Sequence, residues 1–352
     1  ANIAILSCYL PLYKLTDQIP SLKSFDSSNQ SFKGLLALQL SEPLKEIDLS
    51  KKIKKLGKIY DNISQKVKSQ YEENPYPRWR YTYKNLSSNF LNHLNNEIKP
   101  NKLEFNNEFN NPNILVAGCG TGQHIAIVAD KYLNSQILGI DLSLASLAYA
   151  KRKVKELNLK NVEFLQADIL QLKNLKKKFN VIECVGTLHH MKYPVAGLKI
   201  LINLLEPNGL LKLGLYSEIA RQNIVKARNF IKRKNIKCTV DEIRNFREII
   251  ENEDVDPALK KIFQSKDFYS TSMARDLMFH VQEHRFKLLE VSKILENLNL
   301  EFLGFSNQNI KSKFSKMFPK DKKNISLENW NKFENSNPDT FYNMYQFWVR
   351  KT

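Results

Sequence analysis

The sequence predicts an α/β fold built on a mostly parallel sheet, and three observations carry that prediction. From Asn113 onward, short β-branched runs alternate with stretches of helical periodicity, the signature of βαβ units. Gly118, Gly120 and Gly122 stand between the first run and the first helical stretch. Asp141 and Asp168 end the next two runs.

Residues 1–70 read as a helical extension, with apolar clusters such as "FKGLLALQL" separated by Pro, Ser and Asp. Within and just beyond it, "LSKKIKKLGKIYDNISQKVKSQYEE" spaces its apolar residues for a single surface helix, with lysines on the other face. Residues 71–112 form a latch or linker containing "NPYPRW", where prolines flank Tyr76. Residues 113–217 are the core, with strands expected at "NILVAG", "QILGID", "VEFLQAD", "FNVIECVG" and "GLLKLGLYS". Helices fall at Gln123 to Tyr132, Ser143 to Leu157 and Ala196 to Leu205, and Ser143 is placed to cap the second. Residues 218–299 form a charged helical insertion, or lid. Residues 300–352 supply two late strands, "LEFLGF" and "YNMYQFWVRK", joined by a polar loop carrying Pro338. Two late strands added to five parallel ones predict a seven-stranded sheet.

The hydrophobic share of 42% suits a sizeable core, and no run of eighteen apolar residues suggests a membrane span. The opening "ANIAILSCYLPLYKL" lacks a basic flank and is broken by Pro11, so it does not read as a signal peptide. Its lack of an initiating Met suggests a piece of a longer polypeptide. Cys8, Cys119, Cys184 and Cys238 are scattered without a C-x-x-C pair, which points to a reducing cytoplasm and away from a cysteine zinc site. The formal charge of +18 invites a nucleic-acid partner. Lysine dominates over arginine, however, and Asn and Ile are abundant, as AT-rich coding DNA would produce. Nucleic acid is therefore the less favoured partner.

In "VAGCGTGQ" the glycines permit a tight turn and close approach of a ligand. Asp141 is placed to accept the hydroxyls of a ribose, and Asp168 to accept an adenine amino group. Gln123 replaces the third glycine of the dinucleotide pattern, so no pyrophosphate cradle is expected. The G-x-G-x-G loop resembles that of class I S-adenosylmethionine-dependent methyltransferases, as do "VIECVGTLHHM" and "LLEPNGLLKLGLYS". The resemblance implies a Rossmann-like sheet with an antiparallel last strand, and S-adenosylmethionine as cofactor with S-adenosylhomocysteine as product. It places cofactor contacts at Gly118, Cys119, Gly120, Thr121 and Gly122 of the loop. Further contacts fall at Asp141 and Leu142, at Ala167, Asp168 and Ile169, and at Val185. Val116 stands where such loops usually carry an acid, so the methionyl end is expected to rest on the Gly118 backbone or Asn74.

Six stretches in order narrow the resemblance: "QYEENPYPRW", "GCGTGQH", "DLSLASLAYAKRK", "GLYSEIAR", "HVQEHRF" and "NPDTFYNMYQFWV". From about Cys8 to the end the chain is similar to the bacterial methyltransferase module carried behind tetratricopeptide repeats. That implies repeats on the same polypeptide as a partner. It names no acceptor.

"HVQEH", His280 to His284, also fits the H-x-x-E-H signature of inverted zinc proteases, which on a helix would aim both imidazoles at one metal. It lacks an assured third ligand, Glu290 and Glu296 being the candidates, so no metal site is assigned. In a methyltransferase it lies in the lid, and His280 and His284 become acceptor-side candidates. Tyr76, Arg78 and Arg221 are further acceptor-binding candidates, while Trp79 has an equal reading as core. His189, His190 and Tyr216 follow strands four and five where the methyl should sit, with His189 preferred for the cleft and a histidine as general base for a hydroxyl acceptor. The function expected is transfer of a methyl group to an O or N of a protein, glycan or small molecule. RNA methylation and a non-catalytic cofactor-binding module are the alternatives.

Overall fold

The computed structural model describes residues 2–83, 86–104, 107–252 and 254–352. Parts of the expected extension (1), latch (84, 85, 105, 106) and lid (253) lie outside the described residues. The strands are β1 (Lys54–Leu56), β2 (Asn113–Ala117), β3 (Gln136–Asp141), β4 (Val162–Ala167), β5 (Phe179–Val185), β6 (Leu205–Leu215), β7 (Leu300–Phe305) and β8 (Tyr345–Lys351). They form one sheet in the order β1-β4-β3-β2-β5-β6-β8-β7. β8 runs antiparallel to β6 and β7, and the other pairings are parallel.

The sheet has eight strands, not seven. The extra one, β1, comes from the stretch expected to be a single surface helix. Gly57 takes a φ of +66°, which no helix continues through, and the residues before it extend instead along the free edge of β4. The helix proper is Asn62–Glu73, started by Asp61, whose carboxylate accepts from the Ser64 amide at 2.8 Å. A second correction concerns the expected polar loop before β8. It contains helices Gln308–Met317 and Leu327–Ser336. Apart from the buried Lys311, most of their Asn, Lys and Ser residues face outward and mask a sparse apolar stripe, from which Trp330 stacks on Phe314 at 3.7 Å.

Alternate residues of β2 enter different cores: Ile114 and Val116 one, Leu115 and Ala117 the other. Helices Phe90–Ile98, Gln123–Lys131 and Leu144–Glu156 cover the first face. Helices Pro194–Leu204, Leu288–Asn297 and the two late ones cover the second. Ser143 caps its helix as expected, accepting from the Ser146 amide at 3.0 Å. The lid has its own core around Phe246, Ile262 and Phe268, and the N-terminal helices pack around Leu12, Leu22, Leu36 and Leu40.

Arg152, within the basic run Lys151–Lys155 of the helix Leu144–Glu156, is buried. It ties the N-terminal helix Glu42–Ser50 to the core by pairing with Glu42 (3.1 Å) and Glu46 (2.9 Å), and it also pairs with Glu156 of its own helix (2.6 Å). Among the described residues no helix is long and apolar enough to cross a membrane.

Chain order reverses at β2, which has β3 on one side and β5 on the other. In open α/β sheets this switch point leaves a crevice beyond the carboxyl ends of the strands.

Candidate active site

A cavity of about 540 Å³ occupies that crevice. The glycine loop, the ends of β3, β4 and β5, the helix Asn62–Glu73 and the lid all contribute to its wall. Its size and mixed lining suit a small organic ligand.

The loop is built by backbone bonding. The amides of Gly118 and Cys119 both donate to the Ile140 carbonyl at 2.9 Å, and that of Gly120 donates to Asp141 Oδ2 at 2.9 Å. Two of the glycines serve packing as much as ligand approach. A Cβ on Gly118 would lie 2.1 Å from Thr187 Oγ1, and one on Gly122 would lie 2.6 Å from the Ala150 Cβ. Asp141 Oδ1 accepts from the Ser143 amide at 2.9 Å, so both oxygens are oriented by the backbone. Burial pushes its carboxyl upward and these bonds oppose that. Asp168 accepts from the Leu170 amide at 2.9 Å and is likewise raised by burial.

Asp141, Asp168 and the apolar Leu142, Ile169 and Val185 line one end of the cavity together. Carboxylates for hydroxyl and amino groups, beside apolar walls for a flat base, fit the nucleoside of S-adenosylmethionine. Cys119 and Ala167 also line the cavity, whereas Thr121 and Gly122 do not. Thr121 instead donates its hydroxyl to the Pro77 carbonyl, and its own carbonyl accepts from Trp79 Nε1 at 3.0 Å. Trp79 is thus buried and hydrogen-bonded as the pin of the latch. Asn74 caps the end of helix Asn62–Glu73 and is absent from the lining, so the part expected of it at the methionyl end is not supported. Glu72 went unnoticed in the sequence: its carboxylate accepts from the Leu144 and Ala145 amides at 2.8 and 3.0 Å, docking the latch on a helix N-terminus.

A cluster on the cavity wall is formed by Tyr71, Tyr76, Tyr216 and two lid residues, Asp267 and Asp276. The Tyr71 hydroxyl donates to Asp276 Oδ1 at 2.6 Å. Burial, with Asp267 adding to it, pushes the Asp276 carboxyl up to about 6. Burial also raises Asp267. No sequence motif marks either acid. Arg221 lines the cavity, but its charge is committed to Glu283 by a two-pronged pair at 3.1 and 2.7 Å, and it lies 3.6 Å over the Tyr216 ring. Arg78 is exposed outside the cavity, above Tyr149.

"HVQEH" is not helical. The helix Thr271–Phe279 stops before His280, so the geometry that would converge both imidazoles on a metal is absent. The segment is a strap laid along the end of β6. The His284 amide donates to the His189 carbonyl at 2.7 Å, and the Phe286 amide to the Tyr216 carbonyl at 2.9 Å. The Gln282 backbone fixes two imidazoles: its carbonyl accepts from His190 Nδ1 at 2.7 Å, and its amide donates to His280 Nδ1 at 3.2 Å. His280 stacks on His190 at 3.6 Å and His284 pairs with Gln282 at 2.9 Å, and neither lines the cavity.

His190, rather than the preferred His189, lines the cavity. His189 is wholly buried and stacked on Tyr216 at 3.7 Å. Burial lowers His190 to about 4 and His189 well below its ordinary value, so both are neutral near pH 7.

Residues 108–271 match the family described as "Methyltransferase domain". An uncharacterized protein of Synechococcus sp. is 26% identical over 272 residues, covering 70% of this chain and 61% of that one. The (S)-tetrahydroprotoberberine N-methyltransferase of Eschscholzia californica is 33% identical over 79 residues, 22% of each chain. The structure of PKMT2 from Rickettsia typhi in complex with AdoHcy shares the fold, with a TM-score of 0.58 at 17% identity over 79% of this chain and 55% of that one. The chain therefore spans about three fifths or less of the length of the Synechococcus and Rickettsia proteins. Residues 108–271 thus match a methyltransferase domain, and the chain has the α/β methyltransferase fold.

Proposed function

We propose that this chain methylates an amine nitrogen. The observation that carries the reading is the pair of lid carboxylates, Asp267 and Asp276, clustered with Tyr71, Tyr76 and Tyr216 on the cavity wall. The Arg221 guanidinium beside them is already matched by Glu283, so that part of the wall is left acidic and rich in tyrosine. An ammonium group is the complement of such a wall. Relatives named as N-methyltransferases support the choice of nitrogen over oxygen.

When bound, S-adenosylmethionine supplies an electrophilic methyl group on a sulfonium. The protein's part is to desolvate and align the acceptor. Asp267 and Asp276 draw the ammonium in, and Asp276 takes its proton, so that the nitrogen lone pair is free to form the new N–C bond while the S–C pair returns to sulfur. The Tyr71 hydroxyl holds the accepting carboxylate in place. Tyr216, packed against Arg221 and His189, is held rigidly in the same wall.

The finer resemblance is part of this reading: a C-terminal module behind tetratricopeptide repeats, which would present an extended surface to a protein acceptor. The test is transfer of labelled methyl from S-adenosylmethionine to a lysine peptide and a polyamine, beside a serine peptide and RNA. Labelled amine that falls at least tenfold with Asp276→Asn is expected. Label confined to the serine peptide or RNA overturns the reading.

A further inference from the structure

We propose that His124, braced by Glu183, holds the amino-acid end of the cofactor. The inference rests on the methyltransferase reading and concerns two residues of family-like stretches to which the resemblance gives no role.

His124 is the second residue of the helix that leaves the glycine loop, and its ring lines the cavity. Its Nε2 lies 2.7 Å from Glu183 Oε2. The histidine side chain is 35% exposed and the glutamate 1%. Glu183 sits inside β5, directly in register with Val116 of β2, the position that carries no acid in this loop. A carboxylate in the interior of a central strand is costly where an apolar side chain would pack. Among the described residues its second oxygen, Oε1, has no partner at hydrogen-bond geometry, with the Tyr132 hydroxyl as its neighbour. Lys212 is a further polar neighbour of the carboxylate and is already bonded to Glu97 at 2.7 Å.

What the acid does achieve is to fix an imidazole at the cavity wall. With Nε2 engaged by the carboxylate, Nδ1 is the ring atom left for a ligand. Strand order sets the direction. The nucleoside acids end β3 and follow β4, on one side of β2, whereas the His124–Glu183 pair belongs to the β5 side. A ligand with its nucleoside at Asp141 and Asp168 and its length across the glycine loop delivers its zwitterionic tail to His124.

The test is calorimetric titration with S-adenosylhomocysteine and, separately, with 5′-deoxy-5′-methylthioadenosine, which keeps the nucleoside and thioether but lacks the amino-acid end. His124→Ala and Glu183→Gln should each weaken S-adenosylhomocysteine roughly tenfold or more, as loss of a charge-assisted bond does. Both variants should hold methylthioadenosine as the wild type does. His124→Ala, at a partly exposed site, keeps the test readable if the buried substitution unfolds the chain. Equal losses for both ligands, or none, overturn the proposal. Failure of the wild type to bind either ligand would instead sink the cofactor reading on which it rests.

Discussion

Asp276→Asn should make the protein more stable at pH 7.5 while disabling it. Asp276 titrates near 6 against an ordinary 3.8, chiefly because burial penalises its ionised form. The folded state thus binds this proton more tightly than the unfolded state, and stability falls as pH rises through the interval from 3.8 to 6. Above pH 6 the full penalty is present, and below 3.8 it is gone. A difference of about 2.2 pH units at 1.36 kcal/mol each is about 3 kcal/mol, an upper bound because cavity water screens part of it. Asparagine removes the charge and keeps a carbonyl for the Tyr71 hydroxyl. At roughly 2.1 cal/mol/K per residue over 352 residues, 3 kcal/mol raises Tm by about 4 °C. The assay is thermal unfolding of both proteins at pH 7.5 and at pH 4. A gain at pH 7.5 that vanishes at pH 4 supports the argument. A shift of the same size at both pH values, or a loss at pH 7.5, refutes it.

The same carboxyl should shape catalysis: kcat/KM falls below pH 6 about tenfold per unit, and this limb moves in Asp276→Asn, as a pH–rate profile would show. His190 titrates near 4 and should contribute no limb between pH 6 and 9, so a limb in that range abolished by His190→Ala would contradict the assignment. Asp141→Ala should weaken S-adenosylhomocysteine by roughly 10- to 150-fold in calorimetry, since it removes a charged acceptor and the partner that orients Gly120. Arg152→Ala should cost about 3–5 kcal/mol in urea unfolding, because it strands Glu46 against the core without its cation.

Strand positions in the core were legible because each βαβ unit carries its own signal. A β-branched run such as "NILVA" has nowhere to go but a buried strand, and glycine must follow where the backbone turns at positive φ. Asp141 and Asp168 were legible for the same reason, since a residue ending a parallel strand at the switch point faces the crevice whatever surrounds it. β1 was not legible. Three residues of lysine-rich chain become a strand only because β4 offers an unpaired edge. The spacing of "HVQEH" has meaning only on a helix, and the helix ends at Phe279, before the motif begins.

The amino-acid sequence alone thus determined the parallel sheet, the glycine loop and the strand-end acids Asp141 and Asp168 of the cavity wall, because these depend on local periodicity and on spacing along one chain. The tertiary structure alone decided the cluster of carboxyls and tyrosines on the cavity wall. Asp267, Asp276 and Tyr71 come from segments some 200 residues apart, and Glu183 meets His124 across two strands. In the sequence each is an ordinary acid, tyrosine or histidine. Burial, which raises the lid carboxyls and stacks the histidines, is a property of the packed fold and leaves no periodic trace in the chain.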